Sequence, residues 1–194
     1  MLFPIRMRTR AFPAFAALFL LLSLASCTPS GPQQPPAATT LLIVRHAEKA
    51  AEPADDPPLT EAGRERAASL ARMAAPSGVS AAYATQYLRT QQTVEPLAAQ
   101  FGLTTRQRDS ADIDGLVAQV LSENRGQTVV VAAHSNTVPV LVEKLTGKPA
   151  APIEESEYDN LYVVTSWGPG QGTAVRLLYG GSSAAVQAVA RPSR

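Results

Sequence analysis

From Leu41 onward, short apolar runs alternate with stretches of helical apolar spacing. Leu41-Leu42-Ile43-Val44 is halted by Arg45-His46, the pattern of a strand buried on both faces. A loop over 50–58 carries Pro53, Pro57 and Pro58. Thr60 and Glu61 then offer an N-cap and a first-turn acid, and Ala67, Leu70, Ala71 and Ala74 follow at helical spacing. Pro76-Ser77-Gly78 ends that helix, and Val79–Ala84 reads as a second strand. Thr85 is placed to cap a helix running to about Gln100, with Gly102 at its exit. Leu103–Arg106 predicts a short strand, and Leu116, Val117, Val120 and Leu121 make 113–124 helical. Thr128–Ala133 is the most apolar strand and ends at His134. A helix over 138–145 is closed by Gly147 and Pro149. Leu161–Thr165 and Thr173–Leu178 are two last strands around a Gly/Pro turn. This order predicts an α/β three-layer sandwich, its central sheet mostly parallel with an antiparallel edge.

The N-terminal stretch follows another rule. Arg6, Arg8 and Arg10 form a basic head without any acid, and the run from Ala11 to Leu24 is almost wholly apolar. Leu24-Ala25-Ser26-Cys27 then supplies a small-residue site. Such a pattern is a secretory signal, and its run is short for a membrane span of about 20 residues. Leu-Ala-Ser-Cys also resembles the lipobox of bacterial lipoproteins, whose Cys becomes a lipid-carrying N-terminus. That resemblance implies lipidation of Cys27, export, and anchoring to a membrane of the bacterial envelope. The expected organisation is a signal over 1–27, a Pro-rich tether over 28–39, a folded domain over 40–180 and a loose tail over 181–194.

Composition narrows the chemistry. The chain has 194 residues, 45% of them hydrophobic and 17% charged, enough apolar content for a real core. Removing the three signal arginines from 17 basic residues leaves 14 against 16 acidic ones, so no general nucleic-acid binder is expected. One Cys excludes an intramolecular disulfide and any multi-Cys metal site. With 2 His in the chain, histidine chemistry falls to His46 and His134.

Both histidines follow the two most apolar strands. In an open α/β sheet, ligands bind outside the carboxyl ends of the strands, so both are delivered to one edge. Arg45 precedes His46, and Arg89 lies in the first turn of a helix, where backbone donors and the dipole favour anions. Two Arg, two His and a helix N-terminus at one point would bind a phosphoryl group. A neutral imidazole could attack phosphorus while the cations hold the developing charge, with no metal or other cofactor.

These residues also resemble a family. Leu41-Leu42-Ile43-Val44-Arg45-His46-Ala47-Glu48-Lys49 is similar to the Arg-His-Gly signature of the histidine phosphatase, or phosphoglycerate mutase-like, superfamily. Leu59-Thr60-Glu61-Ala62-Gly63, Thr85 to Thr93 and Val129 to His134 resemble its next three segments, in the family order. The resemblance implies a phosphoglycerate mutase-like fold and a small phosphorylated substrate. It makes His46 the transiently phosphorylated nucleophile, with Arg45, Arg89 and His134 completing the phosphate pocket. Three departures stand out. Ala47 replaces Gly, a change tolerated where the backbone is not left-handed. Ser135-Asn136 follows His134 without the Asp that donates a proton in one branch, and no equivalent of the other branch's Glu is visible. Glu48, Asp109 and Asp112 are then the candidate general acids.

Other readings compete. His46 and His134 could join Asp55 or Asp56 around zinc, but flanking Arg45 and Arg89 would oppose a metal cation. Ser135 lacks the Gly-x-Ser-x-Gly elbow of a serine hydrolase. A catalytically silent phosphate-binding lipoprotein would keep both arginines without a working acid. Tyr158-Asp159-Asn160 reads as a turn held by an Asx hydrogen bond.

Overall fold

The computed structural model describes residues 37–183. The chain divides into units over 1–34 and 35–194, and every described residue belongs to the second. The signal with Cys27 and nearly all of the tether lie outside the described residues. Thr39, the last residue of the expected tether, instead opens the first strand and donates its hydroxyl to Asn124 O at 3.0 Å.

The order is β1 (Thr39–Arg45), α1 (Glu61–Ala74), β2 (Val79–Thr85), α2 (Leu88–Gln100), β3 (Arg106–Arg108), α3 (Ile113–Glu123), β4 (Thr128–Ala133), α4 (Val138–Thr146), β5 (Asn160–Gly168) and β6 (Gln171–Leu178). The six strands lie in the order β3-β2-β4-β1-β5-β6. β1 to β4 run parallel, while β5 and β6 complete an antiparallel edge.

Alternation along β1 explains the three layers. Leu41 and Ile43 face a core shared with Leu116, Val120, Leu141 and Leu145 of α3 and α4. Leu42 and Val44 face the opposite core, with Leu70 of α1 and Val94 and Leu97 of α2. Each such large side chain contributes about 1.5–3 kcal/mol by leaving water.

Two boundaries differ from the sequence expectation. Thr85 ends β2 and does not cap α2, whose first residue follows Tyr87 without a side-chain cap. β3 covers Arg106–Arg108, two to three residues later than expected. Leu103 closes α2 instead, its amide donating to Ala98 O at 2.8 Å just after Gly102 takes a φ of 64°.

α1 is pressed against the loop that follows β1. A Cβ at Gly63 would stand 2.2 Å from Glu48 O, so only glycine allows this approach. Thr60 caps the helix by accepting from Gly63 N at 3.1 Å, while its own amide donates to Glu48 O at 2.9 Å. At the other end of the domain, Ser183 is buried and donates its amide to Asp159 Oδ2 at 3.1 Å. Residues 184–194 of the expected tail lie outside the described residues.

Candidate active site

The parallel register pairs Arg45 of β1 with Ala133 of β4. The next residue on each strand is a histidine, and His46 N donates to Ala133 O at 2.8 Å. The two imidazole centroids therefore stand 5.5 Å apart, at an interplanar angle of 65°. Adjacent central strands end together, and the sheet does the positioning.

His46 Nδ1 lies 2.8 Å from Ala47 O. A carbonyl only accepts, so Nδ1 carries the proton and Nε2 keeps its lone pair. The Ala47 amide is held in turn, donating to Thr93 Oγ1 at 2.9 Å. Ala47 is wholly buried and, like every described non-glycine residue, avoids positive φ. Alanine therefore fits where the family pattern has glycine.

His134 Nε2 lies 3.0 Å from Thr85 Oγ1, which lies 2.8 Å from Thr90 Oγ1. Thr90 Oγ1 donates to Tyr87 O at 2.8 Å. Its proton is thereby used, so Thr85 donates to Thr90 and accepts from His134 Nε2–H. This chain sets the tautomer and leaves Nδ1 of His134 as its unprotonated nitrogen.

Burial shifts both rings. Desolvation, with the neighbouring Arg45, His134 and Arg89 charges, lowers the His46 pKa to about 3 against the opposing bond to Ala47 O. Burial, then Arg89 and Arg45, lowers His134 to about 4. Both imidazoles are neutral near pH 7.

Arg45 is 1% exposed. Its Nη1 donates to Glu154 O at 2.8 Å and Glu157 O at 3.0 Å, and its guanidinium lies 4.2 Å from the Tyr158 ring centroid. Arg89 stacks 4.2 Å from the Tyr87 ring centroid and lies 3.8 Å from Asp56. Arg45, His46, Arg89 and His134 line one pocket of about 570 Å³, with Lys49, Tyr87, Ser135 and Glu155 among its other walls. Four of the sequence-selected residues thus converge.

The three expected acids do not line this pocket. Glu48 turns away into a buried bidentate pair with Arg66, with Oε1 2.7 Å from Nη2 and Oε2 3.0 Å from Nε. Asp112 caps α3 through Gly115 N and pairs with Arg108. Asp109 accepts from Ala111 N at 2.9 Å in its own loop. Asp56, the zinc rival's carboxylate, accepts from Leu88 N at 2.9 Å beside Arg89. Among the described residues, no group of three His, Cys, Asp or Glu is placed to hold a metal.

Sequence reasoning missed Glu155, Tyr87 and the anchoring threonines Thr85 and Thr93. Glu155 Oε2 meets Arg45 Nη2 at 2.8 Å, and Oε1 accepts from Ser135 Oγ at 2.6 Å. That hydroxyl, and then Arg45, hold the Glu155 carboxyl below the usual carboxylate range. Asp159 accepts from Ser183 across 24 residues, not within a local Asx turn, and Tyr158 supports Arg45.

Residues 41–112 match the family model described as the histidine phosphatase superfamily (branch 1). No curated protein sequence gives a significant match. Among solved structures, the fold is similar to a Nakamurella multipartitia protein assigned as phosphohistidine phosphatase SixA, with TM-score 0.58, 23% identity and coverage of 77% of this chain and 99% of that one. A protein histidine phosphatase SixA complexed with tungstate gives TM-score 0.60, 21% identity and coverage of 76% and 99%. A mycobacterial glucosyl-3-phosphoglycerate phosphatase gives TM-score 0.58, 16% identity and coverage of 75% and 100%. The family match over residues 41–112 and the shared fold make the chain similar to the histidine phosphatase superfamily in that segment and in architecture.

Proposed function

We propose that this histidine-type phosphatase hydrolyses a small phosphorylated compound through a phosphohistidine on His46, exported to the bacterial cell envelope and anchored to a membrane by Cys27. The observation that carries the catalytic reading is the His46 ring itself. Its Nδ1 proton is committed to Ala47 O, its pKa is depressed to about 3, and it lines a pocket with two arginines and a second histidine. A neutral nucleophile in a cationic pocket is what phosphoryl transfer to nitrogen needs.

In the first step Nε2 attacks phosphorus as the P–O bond breaks, and Arg45 and Arg89 hold the equatorial oxygens. In the second, water attacks phosphorus and the P–N bond breaks, returning His46. The pocket's 570 Å³ suits a small ligand. A structural relative complexed with tungstate, an oxyanion, supports the reading of a phosphoryl ligand.

Anchoring rests on the basic head, apolar run and Leu-Ala-Ser-Cys site. A Cys27→Ala variant is expected to lose labelled fatty acid and leave the membrane fraction; retention of both would contradict this part. For catalysis, the full-length protein should release phosphate from an aryl phosphate in the presence of chelator, and His46→Ala should not. Binding of inorganic phosphate without turnover would favour the silent-binder reading instead.

A further inference from the structure

The pocket that would receive the phosphoryl group already contains an anion of the protein's own. Glu155 holds Nη2 of Arg45 at 2.8 Å. Nη1 has both protons on the carbonyls of Glu154 and Glu157, so the edge formed by Nη2 and the unpartnered Nε is what Arg45 offers an incoming oxyanion. A phosphoryl group bound along that edge meets this carboxylate at Nη2, and the two lie side by side. Among the described residues that line the pocket, Glu155 carries the one carboxylate.

We propose that Glu155 is the proton donor to the leaving group, a role resting on the phosphohistidine reading above. Its side chain is 81% exposed at the rim, where a leaving group has to depart. Ser135 is its second hold and keeps the carboxylate in place while Arg45 turns to substrate. In the free protein Arg45 and Ser135 favour the charged carboxylate. A phosphoryl dianion takes over Arg45 and sets negative charge beside Glu155, so the carboxyl binds a proton as substrate arrives.

The steps balance. Neutral His46, the dianionic ester and protonated Glu155 give phosphohistidine, the free alcohol and a Glu155 carboxylate. Water then gives its hydroxyl to phosphorus and its other proton to Glu155, releasing hydrogen phosphate and neutral His46.

Leaving-group dependence tests this. In full-length protein, kcat/KM reports the steps up to leaving-group departure. Glu155→Gln is expected to lower it about 10²-fold on phenyl phosphate. On 2,4-dinitrophenyl phosphate, whose leaving group departs unprotonated, the loss should stay below about 3-fold. Glu155→Ala should show the same split. Inorganic phosphate binding checks that both variants are folded.

An equal loss on both substrates, or no loss on either, would overturn the proposal. So would tighter phosphate binding with unchanged leaving-group dependence, which makes Glu155 a competitor for Arg45 only. If the wild-type protein fails even on dinitrophenyl phosphate, the phosphatase reading falls with it. If the wild type forms phosphohistidine and Glu155→Gln is indifferent, Glu155 alone is refuted.

Discussion

The two ends of the pocket are built from different material. At the floor, His46 and His134 continue adjacent strands whose register is fixed by a backbone ladder, and Thr85 and Thr93 pin what the ladder leaves free. At the rim, Glu155 belongs to the stretch between α4 and β5, and its side chain is held by one arginine and one serine. In the proposed mechanism the floor is preorganised for one task, the transfer of a phosphoryl group to nitrogen. The rim can vary without disturbing the sheet, which is where substrate choice belongs.

Removing the proposed nucleophile breaks the floor most completely. His46→Ala is expected to lower kcat on an aryl phosphate at least about 10⁴-fold, while phosphate binding by Arg45 and Arg89 persists. Residual turnover within 10-fold of wild type would contradict the assignment.

Glu48 sharpens the comparison, because it stands beside the floor yet serves stability. Its partner Arg66 is buried, also donates to Tyr179 O at 2.9 Å, and would be left unpaired. Glu48→Ala is expected to cost about 3–5 kcal/mol in urea unfolding. A stable variant with unchanged Tm would show that the pair does not clamp α1 to the loop after His46.

Arg89 is next. Arg89→Ala should lower kcat/KM about 10²–10³-fold by removing charge from the transition state. A change in KM alone would reduce Arg89 to ground-state binding.

pH gives the smallest effect and separates two processes. His46 must be neutral, and its depressed pKa of about 3 keeps it so until pH falls through that value. After correction for the substrate's own ionisation near pH 6, kcat/KM is expected to hold down to about pH 4. Stability follows a different window. The unfolded histidines bind protons below about 6.5 while His46 and His134 in the fold do not. Stability therefore falls as pH drops from about 6.5 toward the folded values, by at most about 1.4 kcal/mol per pH unit for each histidine. Urea midpoints at pH 7 and pH 4.5 would check it; a His46-dependent acid limb near pH 6.5 would contradict the depressed pKa.

The floor was legible in the sequence for the same reason that it is rigid. Apolar runs ending in Arg45-His46 and in His134 fix strand ends, and strand ends of a parallel sheet meet. Thr60 and Arg89 followed from helix-start chemistry, and Gly63 from the family resemblance. Thr85 was misread because a threonine before a helix suits a cap as well as a strand end; only the neighbour β4 puts His134 within its reach. Glu48 looked available because its partner Arg66 is 18 residues away on α1. Glu155 had no local signal. Residues 151–159 hold several acids and no periodicity, and the contact to Arg45 spans 110 residues. A side chain placed by long-range contact leaves no trace in spacing.

The central claim is a covalent bond between phosphorus and His46 Nε2. Rapid quenching of the full-length protein during turnover of an aryl phosphate, without acid, followed by mass spectrometry of its peptides, tests it directly. The account predicts an acid-labile, alkali-stable phosphoryl adduct on the peptide containing His46, absent from His46→Ala and present with chelator. Turnover with that peptide unmodified throughout, or with the adduct on His134, would contradict it.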